Sequence, residues 1–495
     1  MFASDRVVFR QTIQNIPAHI GLIECRFDGI RDIDKSDIDE AGRVLAMAPQ
    51  SIRSIATIRR SCDGGRWIGS ESVRQSLLSY CIQSSYFDFV DVEEDVYCEG
   101  MQHVPNTRDS RIEASKEDRA SHEAAIICSF HDCTKTPTDI QERVDRMCSY
   151  GTIIKLAVML NASKDQLQLI EIARHLQKHK KNDYILIGMG IFGRWSRILY
   201  KKLGSMFTYA HNSIDPPAPG MMTYSELIEL YRVDQHSEGT KIFGIIGNPL
   251  EHSHSPAFHN AIFSENTANA VYVPFPTDDC QTFFTFAKTL AIEGFSVTVP
   301  HKRSVMKYLQ VIESQATACS AVNTVIMESS GYVGHNTDYF GFLEPLREAF
   351  SERLITGKLR AAMIGAGGAA SAVLAGLVDL GCQVIIYNRT LSKAELLARK
   401  YDDEVCAEQL RSTIDAGHDI IVQCTDIGMY PNREESPIPD YDFSGKEIVY
   451  DLIYNPAPTA FLARAQAAGC LCITGEPMFR LQAKCQSEMF LNRLK

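Results

Sequence analysis

From residue 19 to about 232 the chain alternates short apolar runs with longer stretches of helical periodicity. The runs are IGLIECRFD, IRSIATIRR, FDFVDVEED, AAIICSFHD, TIIKLAVML, NDYILIGMG and GSMFTYAHN. Strands of this length alternating with helices predict a parallel α/β sheet, and a span of roughly 200 to 250 residues suits a (β/α)8 barrel. Seven runs are clear; the eighth, which should come first, is sought in Val7 to Ile13. The segment YRVDQHSEGTK is short and polar and reads as a linker, placing a first domain at 1–232 and the linker at 233–240. A second α/β unit follows at 241–345, opening KIFGIIGNPLEHSHSP. A third, at 346–474, opens on LRAAMIGAGGAASAVLAGL, which reads as strand, glycine-rich turn and helix. The C-terminal helices, about 475–495, are assigned back to the second unit.

Composition narrows the classes. The 50 Lys+Arg against 61 Asp+Glu give a net charge of −11, and no basic stripe is present, so nucleic acid and anionic membrane are not expected partners. No run approaches the roughly 20 apolar residues of a membrane span. MFASDRVVFR meets charge at Asp5, too early for a secretion signal. The 15 Cys stand singly, without a CxxC pair, as expected of reduced thiols in a cytoplasm-like compartment.

Polar residues gather near the C-terminal ends of the first-domain runs: Glu24, Arg26, Arg59, Glu93, His131, Lys155 and, after the sixth, Arg197. Barrel active sites are built at that rim. A lysine inside TIIKLAVM is costly to bury charged, and Arg26, Arg59 and Arg197 add repulsion, so a lowered pKa is expected. Neutral Lys155 could attack a ketone and form an iminium, an electron sink that acidifies the adjacent C–H. His131 could remove that proton and return it to the departing hydroxyl.

In the third unit, Gly365, Gly367, Gly368 and Ala369 follow an apolar strand and open an apolar helix, the setting in which backbone N–H groups meet a pyrophosphate. The next strand ends not in Asp or Glu but in Asn388-Arg389-Thr390, with Lys393 close by, which favours NADP(H) over NAD. In the second unit, Lys302 and Asp338 offer an ammonium and a carboxylate for proton transfer to an alcohol or ketone oxygen. His252, His254 and His259 have no carboxylate or Cys pair to complete a metal set, so no metal is expected.

GNPLEHSHSP, SVTVPHK, AVNT, HNTD, GAGGAA, NRT and EPMFRLQA, in that order, resemble the shikimate dehydrogenases over nearly all of 241–495. The resemblance implies Lys302 and Asp338 as the catalytic pair. It also implies Ser253, Ser255, Thr298, Asn323, Tyr454 and Gln482 around dehydroshikimate, and Asn388, Arg389, Thr390 and Lys393 around the 2′-phosphate of NADP, with Gly475 on the cofactor side. Ser296, Gln423 and Asp426 depart from the family pattern. The first domain, through IECRFD, TIRRSCDGG, FVDVEED, SFHDCTKTP, TIIKLAVM, GRWSR and PAPG, resembles the type I, Schiff-base 3-dehydroquinate dehydratases. That implies Lys155 and His131 as catalytic, Arg59 and Arg197 on the substrate, and Glu24 and Arg26 as rim partners of one another. Asp63 stands for the family's Glu that positions the histidine, and Pro217 and Met221 replace a Ser and a Gln of the lid. The order of the two halves is that of the bifunctional enzymes of plants and chlamydiae. It implies dehydration of 3-dehydroquinate followed by reduction of 3-dehydroshikimate with NADPH. The alternative is a dehydrogenase joined to an inactive or weak dehydratase.

Overall fold

The computed structural model describes residues 20–49, 52–101, 123–179, 182–212, 216–352, 358–401 and 403–495. The chain divides into two compact units, Met1–Gly239 and Thr240–Lys495, so the division falls at the end of the predicted linker.

In the first unit six strands run in chain order: β1 (Leu22–Arg26), β2 (Arg53–Thr57), β3 (Phe89–Glu93), β4 (Ala125–Asp132), β5 (Ile153–Met159) and β6 (Tyr184–Met189). Each pairs in parallel with the next. Sequential parallel order with intervening helices is barrel topology. Successive strand residues face opposite sides, and the two sets differ in kind. Ile55, Phe89, Ala125, Ile127, Ala157, Ile185, Ile187 and Met189 pack together as an inner cluster. Glu24, Asp91, Glu93, Ser129, His131 and Lys155 share its parity: Asp91, Glu93, Ser129 and His131 follow the apolar members of their own strands, Glu24 is level with Ile55, and Lys155 lies one inward step before Ala157. The inner face is therefore apolar where the strands begin and carries charge from their middle onward on β1, β3, β4 and β5. The run GSMFTYAHN yields only β7 (Ala210–His211), paired with β8 (Met222–Thr223) in a separate two-stranded piece. It was expected as a full strand, but its aromatic side chains, Phe207 and Tyr209, pack onto the inner cluster instead. The candidate first strand, Val7 to Ile13, lies outside the described residues.

The second unit holds two sheets. One contains β9 (Lys241–Gly247), β10 (Ala270–Pro276), β11 (Ile292–Val297), β12 (Val311–Ile312), β13 (Thr324–Glu328) and β14 (Gly331–His335), in the order β10-β9-β11-β13-β14-β12. The helix Gly475–Arg493 returns to this sheet, where Phe490 joins Phe243, Phe263 and Tyr272 in its core. The other is fully parallel and contains β15 (Arg360–Ile364), β16 (Gln383–Asn388), β17 (Val405–Gln409), β18 (Ile420–Gln423), β19 (Ile448–Asp451) and β20 (Leu471–Ile473). Its order, β17-β16-β15-β18-β19-β20, reverses between β15 and β18. In open α/β sheets ligands bind at such a reversal, beyond the carboxyl ends of the strands. Apolar clusters cover both faces of this sheet, as a buried parallel sheet requires.

Candidate functional sites

In the first unit the rim is a continuous network of buried charge. Lys155 and Ser129 are direct partners across β5 and β4. Lys155 Nζ donates to Asp91 Oδ2 at 2.8 Å and lies 3.7 Å from Glu24 Oε1. Arg59 Nη2 meets the same Asp91 oxygen at 2.7 Å, while Ser129 Oγ donates to the other at 2.5 Å. Arg59 Nη1 reaches Ser129 Oγ and His131 Nδ1, each at 2.9 Å. Glu93 holds Arg74, a fully buried arginine, at 2.8 Å and stands 3.7 Å from Arg59.

These contacts reverse one expectation. Burial does push the Lys155 ammonium toward neutrality, but the Asp91 carboxylate outweighs it, and the amine is held protonated, above its ordinary range. Asp91 itself, despite burial, is held below the usual carboxylate range by Arg59 and Lys155. Burial would raise Glu24, and Lys155 and Arg26 bring it below its ordinary value. His131 is neutral, driven well down by burial and by the cations Arg59 and Lys155.

Two side chains have close partners in their own turns besides those implied. Arg26 forks onto Asp28, both nitrogens at 2.9 Å, because Asp28 lies two residues on in the turn that ends β1. Asp63 accepts from Arg60 Nε at 2.7 Å, its neighbour on the same short turn, while the His131 Nδ1 contact is made by Arg59. Arg197 is almost fully buried, yet its Nε and Nη1 have no partner among the described residues. Burial, with Arg194 nearby, lowers its pKa to about 10. A buried guanidinium with unpaired N–H groups is costly unless an anion completes it. Met221 follows Gly220, where a Cβ would come within 2.4 Å of Gly190 O, so this part of the lid segment, three residues after Pro217, sits tightly against the end of β6.

In the second unit Lys302 Nζ donates to Asp338 Oδ2 at 2.5 Å. Asn323 Nδ2 donates to Asp338 Oδ1 at 2.8 Å and to Thr337 Oγ1 at 2.9 Å, and it lies 3.4 Å from Gln482 Oε1. Ser296, one of the departures, bridges Tyr272 OH at 2.6 Å and Gln486 Oε1 at 2.8 Å, and Gln486 in turn donates to Asn323 O. The chain Tyr272–Ser296–Gln486 thus buttresses the strand end that carries Asn323. Ser255 opens the helix Ser255–Glu265 and its N–H donates to Ser253 Oγ at 3.3 Å. Tyr454 stacks on Phe479 at 4.9 Å and lies 5.3 Å from His254. Thr298 N–H donates to Ile246 O, fixing the turn that leads to Lys302. His259 is buried against Tyr272, its Nδ1 2.7 Å from Ser487 Oγ, and desolvation lowers its pKa to about 3.

The glycine turn follows β15 at the sheet reversal. Gly365 has φ +108°, in the left-handed region, and a Cβ there would lie 2.8 Å from Thr425 Cγ2. At Gly368 a Cβ would lie 3.5 Å from Lys302 Cδ. This bare backbone opens the helix Ala370–Asp379 beside the Lys302–Asp338 pair, a cradle that fits a pyrophosphate. Arg389, Thr390 and Lys393 are exposed at the end of β16, and Asn388 Nδ2 donates to Thr390 O at 2.7 Å. Gln423 braces the neighbouring loop, donating to Ile427 O and accepting from Thr425 N–H, each at 2.9 Å, while Asp426 is exposed. Gly475 N–H donates to Ile453 O, so the last helix starts against the segment bearing Tyr454.

Sequence reasoning gave no role to Asp91, Ser129 or Tyr209. The first two could have been found by parity, since a charged Asp in FVDVE shares its strand face with Glu93. Among the described residues, no helix is long and apolar enough to cross a membrane, and no group of three or more His, Cys, Asp or Glu could hold a metal ion.

Comparison with known proteins adds three family matches: type I 3-dehydroquinase over residues 2–238, the shikimate dehydrogenase substrate binding domain over 245–325, and shikimate / quinate 5-dehydrogenase over 351–430. The bifunctional 3-dehydroquinate dehydratase/shikimate dehydrogenase of Arabidopsis thaliana, a chloroplastic protein, is 28% identical over 506 residues, covering 97% of this chain and 80% of its own. The NADP(+) shikimate dehydrogenase of Oleidesulfovibrio alaskensis is 39% identical over 259 residues, covering 51% of this chain and 90% of its own. That of Bacillus licheniformis is 38% identical, covering 50% and 91%.

Proposed function

The chain belongs to the shikimate dehydrogenase family through its second unit and carries a type I 3-dehydroquinase in its first, and from that premise we propose that it works as a bifunctional enzyme of the shikimate pathway. The first unit dehydrates 3-dehydroquinate to 3-dehydroshikimate, and the second reduces that product to shikimate with NADPH. The observation that carries this is the survival of both reactive pairs in working geometry: Lys155 in its buried carboxylate cage and Lys302 at 2.5 Å from Asp338.

On the barrel, Lys155 must release a proton before its nitrogen can attack the substrate ketone, and Asp91 Oδ2, at 2.8 Å, is the group placed to receive it. The amine then adds to the carbonyl carbon, water leaves, and the iminium draws electrons from the neighbouring C–H. Arginine only donates, so Arg59 makes His131 Nδ1 an acceptor and leaves the neutral ring's proton on Nε2. The ring can take a proton at Nδ1 only once Arg59 releases it, and a substrate oxygen would draw the guanidinium away. The imidazolium then protonates the hydroxyl that departs as water, and a second water hydrolyses the iminium, releasing the ketone product and the Lys155 amine. Arg197, buried with two unpaired nitrogens, meets the substrate carboxylate.

On the second unit NADPH, when bound, supplies the hydride. Gly365, Gly367, Gly368 and Ala369 would hold its pyrophosphate, and Arg389, Thr390 and Lys393 its 2′-phosphate. Asn323 fixes one oxygen of Asp338 so that the other faces Lys302. That pair is placed to deliver the proton to the carbonyl oxygen. Ser253 and Ser255, at a helix start, hold the substrate carboxylate. All fifteen cysteines are free thiols, consistent with a reducing, cytoplasm-like compartment.

The test separates the halves. Lys155→Ala should abolish dehydration and spare reduction; Lys302→Ala should do the reverse. One substitution that removes both activities from a folded chain would refute the two-site reading.

A further inference from the structure

Tyr209 lies just before β7, beside the nucleophile, and no role for it follows from the sequence. Lys155 Nζ stands 4.4 Å from the centroid of its ring. Its hydroxyl is sealed from solvent and, apart from the Lys155 ammonium beside it, which can only donate, has no hydrogen-bond partner among the described residues. A buried phenol usually finds a partner, because an unmet O–H forfeits its hydration with nothing in return. Arg197, whose Nε and Nη1 also have no partner among the described residues, interacts electrostatically with Tyr209. Donors without partners thus come from two different elements, and one of them stands beside Lys155. The same chain has Pro217 and Met221, which offer no side-chain hydrogen bond, in the adjacent lid.

We propose that Tyr209 is a further substrate-contacting residue of the dehydratase, its hydroxyl donating a hydrogen bond to the oxygen on the carbon that Lys155 attacks. The ketone oxygen accepts it first and the carbinolamine hydroxyl keeps it. Charge builds on that oxygen as the amine adds, so the bond strengthens along the step. The phenol retains its proton throughout, as burial favours. The packing of the ring against Phe207, 5.6 Å between centroids, keeps the hydroxyl aimed. The proposal rests on the Schiff-base reading of Lys155.

Tyr209→Phe removes one oxygen and leaves the ring, its packing and its contact with Lys155. Loss of one neutral hydrogen bond corresponds to up to about a tenfold effect. We expect kcat/KM for 3-dehydroquinate to fall about tenfold. The rate at which borohydride-trapped adduct accumulates on Lys155, followed by mass spectrometry, should fall in proportion. Thr208→Val is the control: it deletes another buried hydroxyl without a partner, one residue earlier and so on the opposite side of the extended chain. It should stay within about twofold of the unaltered protein. A Tyr209→Phe protein with unchanged kcat/KM and trapping rate would overturn the proposal, as would an equal loss in both variants, which would mark a packing effect. No adduct on Lys155 in the unaltered protein would refute the Schiff-base reading itself, and the Tyr209 role with it.

Discussion

Replacing Asp91 with Asn removes the carboxylate in direct contact with both Lys155 and Arg59 while barely changing the volume of the side chain. At 2.8 Å and an effective dielectric of about 20, the attraction between Lys155 and Asp91 amounts to about 6 kcal/mol. That is several pKa units, enough to explain why the amine stays protonated although burial opposes it. With that carboxylate gone, burial and Arg59 are opposed by the more distant Glu24, and Lys155 becomes neutral at lower pH. The acid limb of kcat/KM for dehydration should therefore move down by more than about one pH unit, whatever happens to the height of the profile. Stability should drop as well, by roughly 3–5 kcal/mol, because two buried cations lose their partner. The Lys155 pKa is raised, so its contribution to stability is present below about pH 10 and is lost as pH rises through the folded value. The Asp91 pKa is lowered, so its contribution is present above about pH 4 and is lost only in strong acid. The difference in unfolding free energy between the two proteins should thus be flat between those limits. Stopped spectrophotometric assays across pH and urea unfolding measure both effects. An unmoved acid limb with an unchanged unfolding midpoint would refute the assignment of Asp91 as the group that sets the state of Lys155.

His131 should remain neutral at pH 6, because burial and two cations lower its pKa; an NMR titration with an inflection near the ordinary 6.5 would disagree. Arg389→Ala combined with Lys393→Ala should raise KM for NADPH at least about tenfold and leave that for NADH within about threefold, since only the 2′-phosphate contacts are removed. Gly475→Ala should destabilise the second unit by about 1–3 kcal/mol in thermal unfolding, because its Cβ would sit 2.2 Å from Leu452 O, a backbone atom that cannot turn aside.

The strand runs of both units were legible because buried parallel strands carry near-continuous apolar stretches, and the glycine turn because nothing else permits φ +108° at Gly365 without strain. GSMFTYAHN misled: its aromatic residues have strand propensity, yet they serve to close the inner cluster, and only two residues pair. The ionisation of Lys155 was misread for a related reason. The arginines were visible as charges near strand ends, whereas Asp91, two residues before Glu93 on the same strand face, was given no role. Arg26 and Asp63 took the nearest opposite charge in their own turns, Asp28 and Arg60, which local geometry decides and spacing along a family motif does not.

The most direct test mixes purified protein with 3-dehydroquinate and NADPH and follows the loss of cofactor absorbance, with 3-dehydroshikimate as the parallel substrate. Oxidation with both substrates is the predicted result and means that the two sites work in series. Oxidation with 3-dehydroshikimate alone would contradict it, leaving a reductase attached to a barrel whose Lys155 and His131 no longer act.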